Sequence, residues 1–361
     1  MFALDNLKIG AFRGLRDLDL EGLGRVNLLV GPNNSGKTSI LEAVSIFCRP
    51  LDLRTWLDTT WRREARLNPE DPFFLATEWV FPHLRRPSFR VLKGDVAIFG
   101  SGRCVVRSVR ATYQAKTRVG ARTSSEQTDS PYAQAGARIE VDASAEGDSE
   151  LQTKVFELWE GEPVALSGFQ RWVTLPVVTV TPVSHRMEAP QMAQWSAAAR
   201  QGLTDGILNM LRSLDPEIHD AEILTRNGNR PAIYVEYGSS GMIPLSSLGD
   251  GRRRAFSIAP IMSSVKGGIL LIDEIESSLH VSALGTLFSW LVRACEEYDV
   301  QLFATTHSLE AIDAMIHAEK EDLSRIVGYR LETLDHSIKA QRLDGQLLWR
   351  MRDERGFDVR L

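Results

Sequence analysis

Residues 31–38 read Gly-Pro-Asn-Asn-Ser-Gly-Lys-Thr and fit the phosphate-loop pattern G-x-x-x-x-G-K-S/T. The residues before the loop, 26–30, are almost wholly apolar, as expected for a strand covered on both faces. Residues 38–47 carry apolar side chains at helical spacing. Backbone N–H groups between such a strand and helix can surround a phosphate at the positive end of the helix dipole. The stretch therefore predicts a nucleoside triphosphate site in an α/β domain.

Each residue type in the loop has a chemical task. Gly31 and Gly36 allow backbone conformations that a side chain would block. Lys37 is predicted to reach the β- and γ-phosphates, and Thr38 to ligate Mg²⁺. The alternative is a glycine-rich turn that is followed by an incidental Lys-Thr pair. Such a turn needs neither a strand before it nor a helix after it, and the sequence predicts both. The predicted nucleotide-binding residues are Gly31, Pro32, Asn33, Asn34, Ser35, Gly36, Lys37, Thr38 and Ser39.

An acidic pair follows a second apolar run, residues 269–272. Asp273 and Glu274 come at the carboxyl end of this predicted strand, where ligands bind in open α/β sheets. Asp273 is the candidate magnesium partner, held through water. Glu274 is the candidate catalytic base that orients the attacking water. Two acids that merely cap a strand are the alternative, and the upstream phosphate loop favours the catalytic interpretation.

His307 follows a third short apolar run, residues 302–306. It is therefore expected at the same sheet edge as the loop and the acidic pair. There it could contact the γ-phosphate and take part in catalysis. A lone histidine at a strand end is usually structural, and its place on the shared edge favours the functional interpretation.

A second anion-binding segment is predicted at residues 245–251, Leu-Ser-Ser-Leu-Gly-Asp-Gly, before a helix. Hydroxyl and backbone donors there would lie at the positive end of the helix dipole. Since the chain already has one phosphate loop, this segment suggests a site for a nucleotide held by another copy. An ordinary N-capped helix is the alternative. The candidate residues are Ser247, Gly249, Asp250 and Gly251.

Together the four motifs resemble the ABC-type ATPases, specifically the soluble branch that contains SMC proteins, RecF-type repair ATPases and the OLD (overcoming lysogenization defect) family. Residues 31–39 resemble the Walker A motif, and residues 271–280 the Walker B motif running into the D-loop. Residues 247–251 are similar to the signature in its Gly-Asp-Gly form, and residues 306–308 to the switch-histidine segment. The resemblance covers about residues 1–48 and 172–318.

The resemblance implies a fold and a mode of action. It implies an α/β fold, an ABC-type P-loop NTPase head with a mixed β-sheet. Such heads hydrolyse ATP with Mg²⁺ between two copies, so a homo-oligomer of at least two chains is expected. In this branch a Phe-Arg-Gly on an early strand commonly helps to hold the nucleotide. Phe12-Arg13-Gly14 matches it and makes Arg13 a candidate nucleotide-binding residue.

We divide the chain into three parts. Residues 1–48 form the N-terminal part of the head with Walker A, and residues 49–171 an inserted lateral α+β lobe. Residues 172–361 form the C-terminal part with the signature, Walker B, D-loop and switch histidine. Helices are expected over 51–68 and 191–214, and a strand over 172–180. No Q-loop glutamine can be placed, although Gln170 and the segment 181–186 lie where the lobe rejoins the head.

Composition limits the class of protein. The chain of 361 residues is 43% hydrophobic and 25% charged, as in an ordinary globular protein. It has neither an apolar run that could cross a bilayer nor the blocks of a signal peptide, so we expect a cytoplasmic protein without a membrane partner. The scattered cysteines, Cys48, Cys104 and Cys295, are expected to be buried thiols.

Charge bears on nucleic-acid binding. A net charge of −5 means that DNA binding would need a local basic patch. The strand-like residues 107–118 offer one, and a solvated sheet face is the alternative. Period two places on one face Ser108, Arg110, Thr112, Gln114, Lys116 and Arg118.

The sequence is compatible with three functions. OLD-family nucleases carry a C-terminal Toprim domain, whereas only about 40 residues follow Ala318 here. The first hypothesis is therefore the ATPase subunit of an anti-phage defence system that controls a separate effector, expected to be a nuclease. The alternative is a RecF- or SMC-like repair ATPase that binds DNA. A transporter ATPase is disfavoured by the Gly-Asp-Gly signature and the missing Q-loop.

Overall fold

The computed structural model describes residues 1–61, 75–82, 93–120, 132–148, 150–162, 174–225, 230–334 and 337–360. Its strands are β1 (Asn6–Phe12), β2 (Leu15–Glu21), β3 (Val26–Val30), β4 (Lys93–Ser101), β5 (Val106–Gly120), β6 (Tyr132–Ala145), β7 (Gln152–Trp159), β8 (Val177–Val180), β9 (Ile218–Leu224), β10 (Ala232–Tyr237), β11 (Met242–Pro244), β12 (Ile269–Ile272), β13 (Gln301–Thr306), β14 (Ile326–Leu334) and β15 (Ser337–Asp344).

The α-helices alternate with the strands in the second half of the chain. They are α1 (Lys37–Cys48), α2 (Leu53–Trp61), α3 (Glu188–Arg200), α4 (Thr204–Leu214), α5 (Asp250–Ile258), α6 (Ile261–Ser264), α7 (Val281–Glu297), α8 (Leu309–Ala318) and α9 (Gly345–Trp349). Short 3-10 helices lie at Leu75–Val80, Ser184–Arg186, Gly238–Ser240, Leu245–Ser247 and Leu323–Arg325, and a π-helical turn at Arg350–Glu354.

A mixed sheet forms the centre of the fold, in the order β15-β14-β3-β13-β12-β8. Five strands run parallel, and β15 pairs antiparallel with β14 at one edge. β3, β12 and β13 are buried along their whole length, which explains their apolar sequences. The carboxyl ends of these three strands meet at one edge of the sheet, as the sequence predicted.

A second six-stranded sheet covers one face of α1. Its order is β2-β1-β4-β5-β6-β7, and all its neighbours are antiparallel. Ten of the twelve residues of α1 are buried, and its apolar side chains share one core with both sheets. The helix that follows the phosphate loop is thus fixed from both sides.

Helices α3 to α8 and the three-stranded sheet β11-β10-β9 pack on the other face of the mixed sheet. The predicted helix over 191–214 is two helices, α3 and α4. Gly202, at φ +68°, lies in the break between them. Of the strand predicted over 172–180, only Val177–Val180 form a strand, β8; residues 174–176 do not, and residues 172 and 173 lie outside the described ones. So do residues 62–68, the end of the helix predicted over 51–68 and begun by α2.

The predicted α/β fold class with a mixed sheet is confirmed. The second sheet crosses the first predicted boundary, because β1 pairs with β4. Residues on both sides of position 48 therefore share one sheet and one core. The division at residues 48 and 171 stays a prediction.

Candidate nucleotide site

The phosphate loop leaves β3 at Gly31 and enters α1 after Gly36. Both glycines have positive φ, +146° and +88°, a region that L side chains rarely adopt. A Cβ on Gly31 would lie 2.7 Å from the carbonyl oxygen of Leu331, and one on Gly36 would lie 2.7 Å from the Leu15 side chain. The Ser35 hydroxyl is buried without a hydrogen-bond partner among the described residues. The loop thus has the backbone shape and a polar group suited to an anion.

Lys37 folds back over the loop. Its Nζ donates to the carbonyls of Gly31 at 2.8 Å and Pro32 at 2.7 Å. Burial lowers the pKa of Lys37, and the nearby Asp273, Glu274 and Glu276 oppose this shift. A phosphate would be a stronger acceptor for this ammonium group than two neutral carbonyls. Lys37 is therefore placed to bind phosphate.

The two predicted magnesium residues touch. Thr38 Oγ1 lies 3.1 Å and 3.0 Å from the two carboxylate oxygens of Asp273. Thr305 Oγ1 donates to Asp273 Oδ1 at 2.6 Å, which orients the carboxylate. Mg²⁺ in nucleotide sites takes one or two protein oxygens and completes its shell with water and phosphate oxygens. The residues present fit that requirement.

Glu274 has a constrained backbone. Its φ is +47°, which is uncommon for a residue with a side chain. Its N–H donates to Thr305 Oγ1 at 2.8 Å, and its carbonyl accepts from Arg254 at 3.3 Å. Contacts from two other elements thus hold the candidate base at the strand end.

Arg254, on α5, is a functional candidate that was not predicted from the sequence. It is fully buried, and its guanidinium donates to the carbonyls of Thr181, Asp273 and Glu274. Burial lowers its pKa to about 10, and the nearby Asp273, Glu274 and Glu276 oppose the shift. Arg254 therefore joins the helix that follows the signature to the end of β12. Its one sequence signal is that it is the last of three arginines, 252–254, and directly precedes Ala255 and Phe256.

His307 lies at the end of β13 with its side chain 52% exposed. Its Nδ1 is 3.2 Å from Glu276 Oε1, and its backbone N–H donates to the same oxygen at 3.1 Å. This contact leaves Nε2 as the ring nitrogen that is open to a ligand. Glu276 was not singled out from the sequence, and its spacing of two from Glu274 was the available signal.

One cleft of about 330 Å³ gathers most of the predicted residues. Gly31, Pro32, Arg13 and the signature residues are sequence candidates that lie outside its lining. The carbonyls of Gly31 and Pro32 accept hydrogen bonds from Lys37, which does line it. The lining residues are Asn33, Asn34, Ser35, Gly36, Lys37, Thr38, Ser39, Asp273, Glu274, Thr305 and His307.

Arg13 contacts α1 rather than the cleft. Its Nε donates to Glu42 at 2.6 Å, and both side chains are largely buried. Two further donors reach the carbonyls of Thr59 and Trp79. In this structure Arg13 fastens α1 to the neighbouring segments and does not line the cleft, so its role in nucleotide binding stays a prediction.

The signature residues lie at the start of α5 and face outward. Ser247 and Gly249 are exposed, and Gly249 caps the helix. Asp250 accepts from Arg186 at 2.8 Å, and this bond lowers the pKa of Asp250. A Cβ on Gly251 would lie 2.9 Å from the carbonyl oxygen of Ser278, so a glycine lets α5 approach the predicted D-loop.

The segment 181–186 ties the signature to the sheet. It follows β8, and Arg254 donates to the carbonyl of Thr181 at its start. Arg186 and His185 contact Asp250 at its other end. These contacts place the segment beside Walker B and the signature. The other Q-loop candidate, Gln170, lies outside the described residues.

On the face of β5 that is a candidate DNA surface, the basic residues lie beside acidic residues of neighbouring elements. Arg110 and Thr112 are exposed and Val109, Ala111 and Tyr113 are buried, so the predicted alternation is confirmed there. Across the sheet, Arg110 pairs in register with Asp142 and Thr112 with Glu140. Arg118 forms an ion pair with Glu162. Neighbouring acids thus offset the basic residues.

Two predictions from composition can be compared with the structure. Cys48, Cys104 and Cys295 are all free and buried, as expected. Among the described residues, no helix is both long and apolar enough to cross a membrane.

Residues 26–313 match the protein family described as "AAA domain, putative AbiEii toxin, Type IV TA system". The matched span is about four fifths of the chain. It contains the phosphate loop, the signature, Asp273, Glu274 and His307, and it begins after Arg13.

Individual relatives match shorter stretches. The uncharacterized protein MJECL11 of Methanocaldococcus jannaschii is 34% identical over 114 residues, which are 31% of this chain and 99% of that protein. The DNA replication and repair protein RecF of Saccharophagus degradans is 44% identical over 52 residues, which are 14% of each protein. Among solved structures, the SMC head bound to the C-winged helix domain of ScpA aligns over 94% of this chain and 97% of that chain, with a TM-score of 0.49 and 11% identity.

Proposed function

Because the chain belongs to this family of AAA domains, we propose that it binds ATP with Mg²⁺ and hydrolyses it. The observation that carries the proposal is the contact of Thr38 with Asp273 beside Lys37 and Glu274. It brings together, from separate parts of the sequence, the four side chains that phosphoryl transfer to water requires.

The roles of the residues follow from their positions. The loop N–H groups and Lys37 bind the β- and γ-phosphates. Thr38 and Asp273 hold Mg²⁺, which neutralises charge on the phosphate oxygens when bound. Glu274 accepts a proton from the attacking water, and His307 donates a hydrogen bond to the γ-phosphate. Thr305 holds the Asp273 carboxylate and the N–H of Glu274, and Arg254 holds the backbone carbonyls of both acids.

We further propose that a second copy of the chain completes the site. Ser247 and Gly249 are exposed at a helix N-terminus, where donors suit a phosphate, and they lie outside the cleft of their own chain. A homo-oligomer in which each signature faces the phosphate loop of another copy would use both features.

The wider role proposed is an ATPase of the OLD-like branch in an anti-phage defence system. The family description, which names a toxin of a type IV TA system, supports a place in defence. In this proposal the chain works in the cytoplasm and controls a separate effector, expected to be a nuclease. Nucleic-acid degradation by the purified chain with Mg²⁺ and ATP would contradict a separate effector, as would failure of any protein to co-purify with it.

A RecF- or SMC-like repair ATPase is the second candidate. The 44% identity to RecF over 52 residues favours it. The mixed charge on the exposed face of β5 weighs against that face as the DNA surface. Salt-dependent DNA binding that is lost on reversing Arg110, Lys116 and Arg118 would favour the repair role.

Phosphate release by the purified chain tests the catalytic proposal. We expect turnover that requires both ATP and Mg²⁺ and that stops on chelation with EDTA. The Asp273→Asn variant should lose turnover, because it weakens the only carboxylate that contacts Thr38 among the described residues. Wild-type turnover that survives EDTA would contradict the proposal.

A further inference from the structure

A segment late in the sequence reaches the cleft. Residues 350–360, which we name the strap, begin with the π-helical turn after α9. Near the end of the strap, Arg360 Nη1 donates to the backbone carbonyl of His307 at 2.7 Å. Since the N–H of His307 donates to Glu276, the backbone of this residue is held on both sides.

The strap is fastened to α8, the helix that follows His307. Arg352 makes two parallel bonds to Asp313 on α8, Nε to Oδ1 and Nη2 to Oδ2, each 2.7 Å long. Arg352 Nη1 also donates to the carbonyl of Phe357 at 2.6 Å. Val359 is fully buried in the core between the mixed sheet and the helices that pack on it. Paired guanidinium–carboxylate bonds fix direction as well as distance, so the strap and α8 form one unit.

Asp358 aims the Arg360 side chain. Arg360 Nε donates to Asp358 Oδ1 at 2.9 Å, and Nη2 donates to Oδ2 at 2.6 Å. These two bonds orient the guanidinium group of Arg360, so that its Nη1 points to the carbonyl of His307. The bond from Arg360 lowers the pKa of Asp358 to about 2, so this pair is charged throughout the neutral pH range.

We propose that Arg360 is a positioning residue that sets the orientation of His307 at the γ-phosphate end of the cleft. This inference rests on the proposed function, since it assigns Arg360 a part in ATP turnover. Rotation of the peptide after His307 would move the imidazole away from the phosphate. Misplacement of a reacting group by about 1 Å can cost on the order of 100-fold in rate.

The test compares Arg360→Ala with Arg355→Ala. Arg355 lies in the same strap and packs over Phe357, so its loss controls for general weakening of the segment. We expect Arg360→Ala to lower kcat about 10-fold with KM for ATP within about twofold, because one of two backbone contacts remains. Arg355→Ala should match the wild type. An unchanged kcat in Arg360→Ala would overturn the proposal.

A double variant separates positioning from stability. If Arg360 acts through His307, Arg360→Ala should cost nothing more in a His307→Ala background. Additive losses would overturn the proposal. Arg360→Lys keeps a donor but loses the planar guanidinium group, so kcat is expected to fall about threefold. That variant decides the question if Arg360→Ala does not fold, since a wild-type kcat in Arg360→Lys would then count against the proposal.

NMR of the nucleotide-free protein keeps this test independent of the proposed function. The His307 ring signals can be assigned from their absence in His307→Ala. We expect Arg360→Ala to shift these signals and Arg355→Ala to leave them in place. If the wild type shows no ATP turnover, the proposed function fails, while unchanged His307 signals in Arg360→Ala would overturn the positioning contact itself.

Discussion

The two halves of the proposed ATP site differ in how they are held. On the Walker side, Thr38, Asp273 and Glu274 are fixed by contacts inside one chain, and they line one cleft. On the signature side, Ser247 and Gly249 are exposed and lie outside that cleft. In the proposed shared site, one chain would supply the whole Walker half and present its signature half to another copy.

Arg254 connects the two halves. It lies on the helix that begins at the signature, and its donors reach the carbonyls of the Walker B acids. Movement of α5 against a second copy would therefore act on Glu274 through a buried, directional contact.

Lys37→Ala tests the Walker half and should have the largest effect. Loss of the ammonium group removes charge-assisted bonds to phosphate, so ATP should bind about 100-fold more weakly. Equilibrium binding of a fluorescent ATP analogue measures this. Lys266→Ala, at an exposed lysine, is the control and should bind as the wild type does. Wild-type affinity for ATP in Lys37→Ala would contradict the assignment of residues 31–38 as the phosphate-binding loop.

Ser247→Arg tests the signature half. The bulky cation should leave ATP affinity in a single chain unchanged but lower kcat about 100-fold, because a donor to the transferred phosphate is lost. A mixture of Ser247→Arg with Lys37→Ala sharpens the comparison. In a dimer with shared sites, half of the pairs regain one intact site, so about a quarter of the wild-type rate should return. No recovery on mixing would contradict the shared site.

Arg254→Met tests the connection. Three buried carbonyls lose their donor, so the free energy of unfolding should fall by about 2–4 kcal/mol and kcat about 10-fold. Urea unfolding and phosphate release measure the two effects. Arg252→Met is the control, because it also removes an ionic contact of α5, with Asp215 outside the cleft, and should leave kcat unchanged. An Arg254 variant with wild-type kcat would show that α5 and Glu274 are not coupled.

Thr305→Val should give the smallest effect. It removes the hydroxyl that contacts both Asp273 and the N–H of Glu274, and kcat should fall about fivefold. Thr179→Val is a matched control, since the Thr179 hydroxyl is also buried but has no hydrogen-bond partner among the described residues. Equal losses in the two variants would indicate a general packing effect.

Much of the Walker half could be predicted from the sequence. The loop, Asp273, Glu274 and His307 each follow a short apolar run, and the carboxyl ends of parallel strands meet at one edge. Thr305 and Arg254 could not be assigned in this way. Whether a buried hydroxyl or guanidinium reaches a particular carbonyl depends on how α5, β12 and β13 pack, and no local pattern records that packing.

The second sheet could not be predicted from the sequence either. β1 pairs with β4 across about 80 residues, and antiparallel pairing at that distance leaves no turn signal between the strands. Arg13 shows the same limit, since nothing in its local sequence indicates that its side chain contacts Glu42 on α1, while its contact with nucleotide stays a prediction. Both contacts, of β1 with β4 and of Arg13 with Glu42, depend on the tertiary packing, and no local sequence pattern reveals it.

Glu274→Gln tests the central claim most directly. The amide keeps the shape of the side chain but cannot accept the proton of the attacking water. With ATP and Mg²⁺, light scattering during gel filtration should show at least twice the mass of one chain, with ATP bound and no phosphate released. Adding Ser247→Arg should restore the monomer mass. A Glu274→Gln protein that still hydrolyses ATP, or that binds ATP as a monomer, would contradict the account.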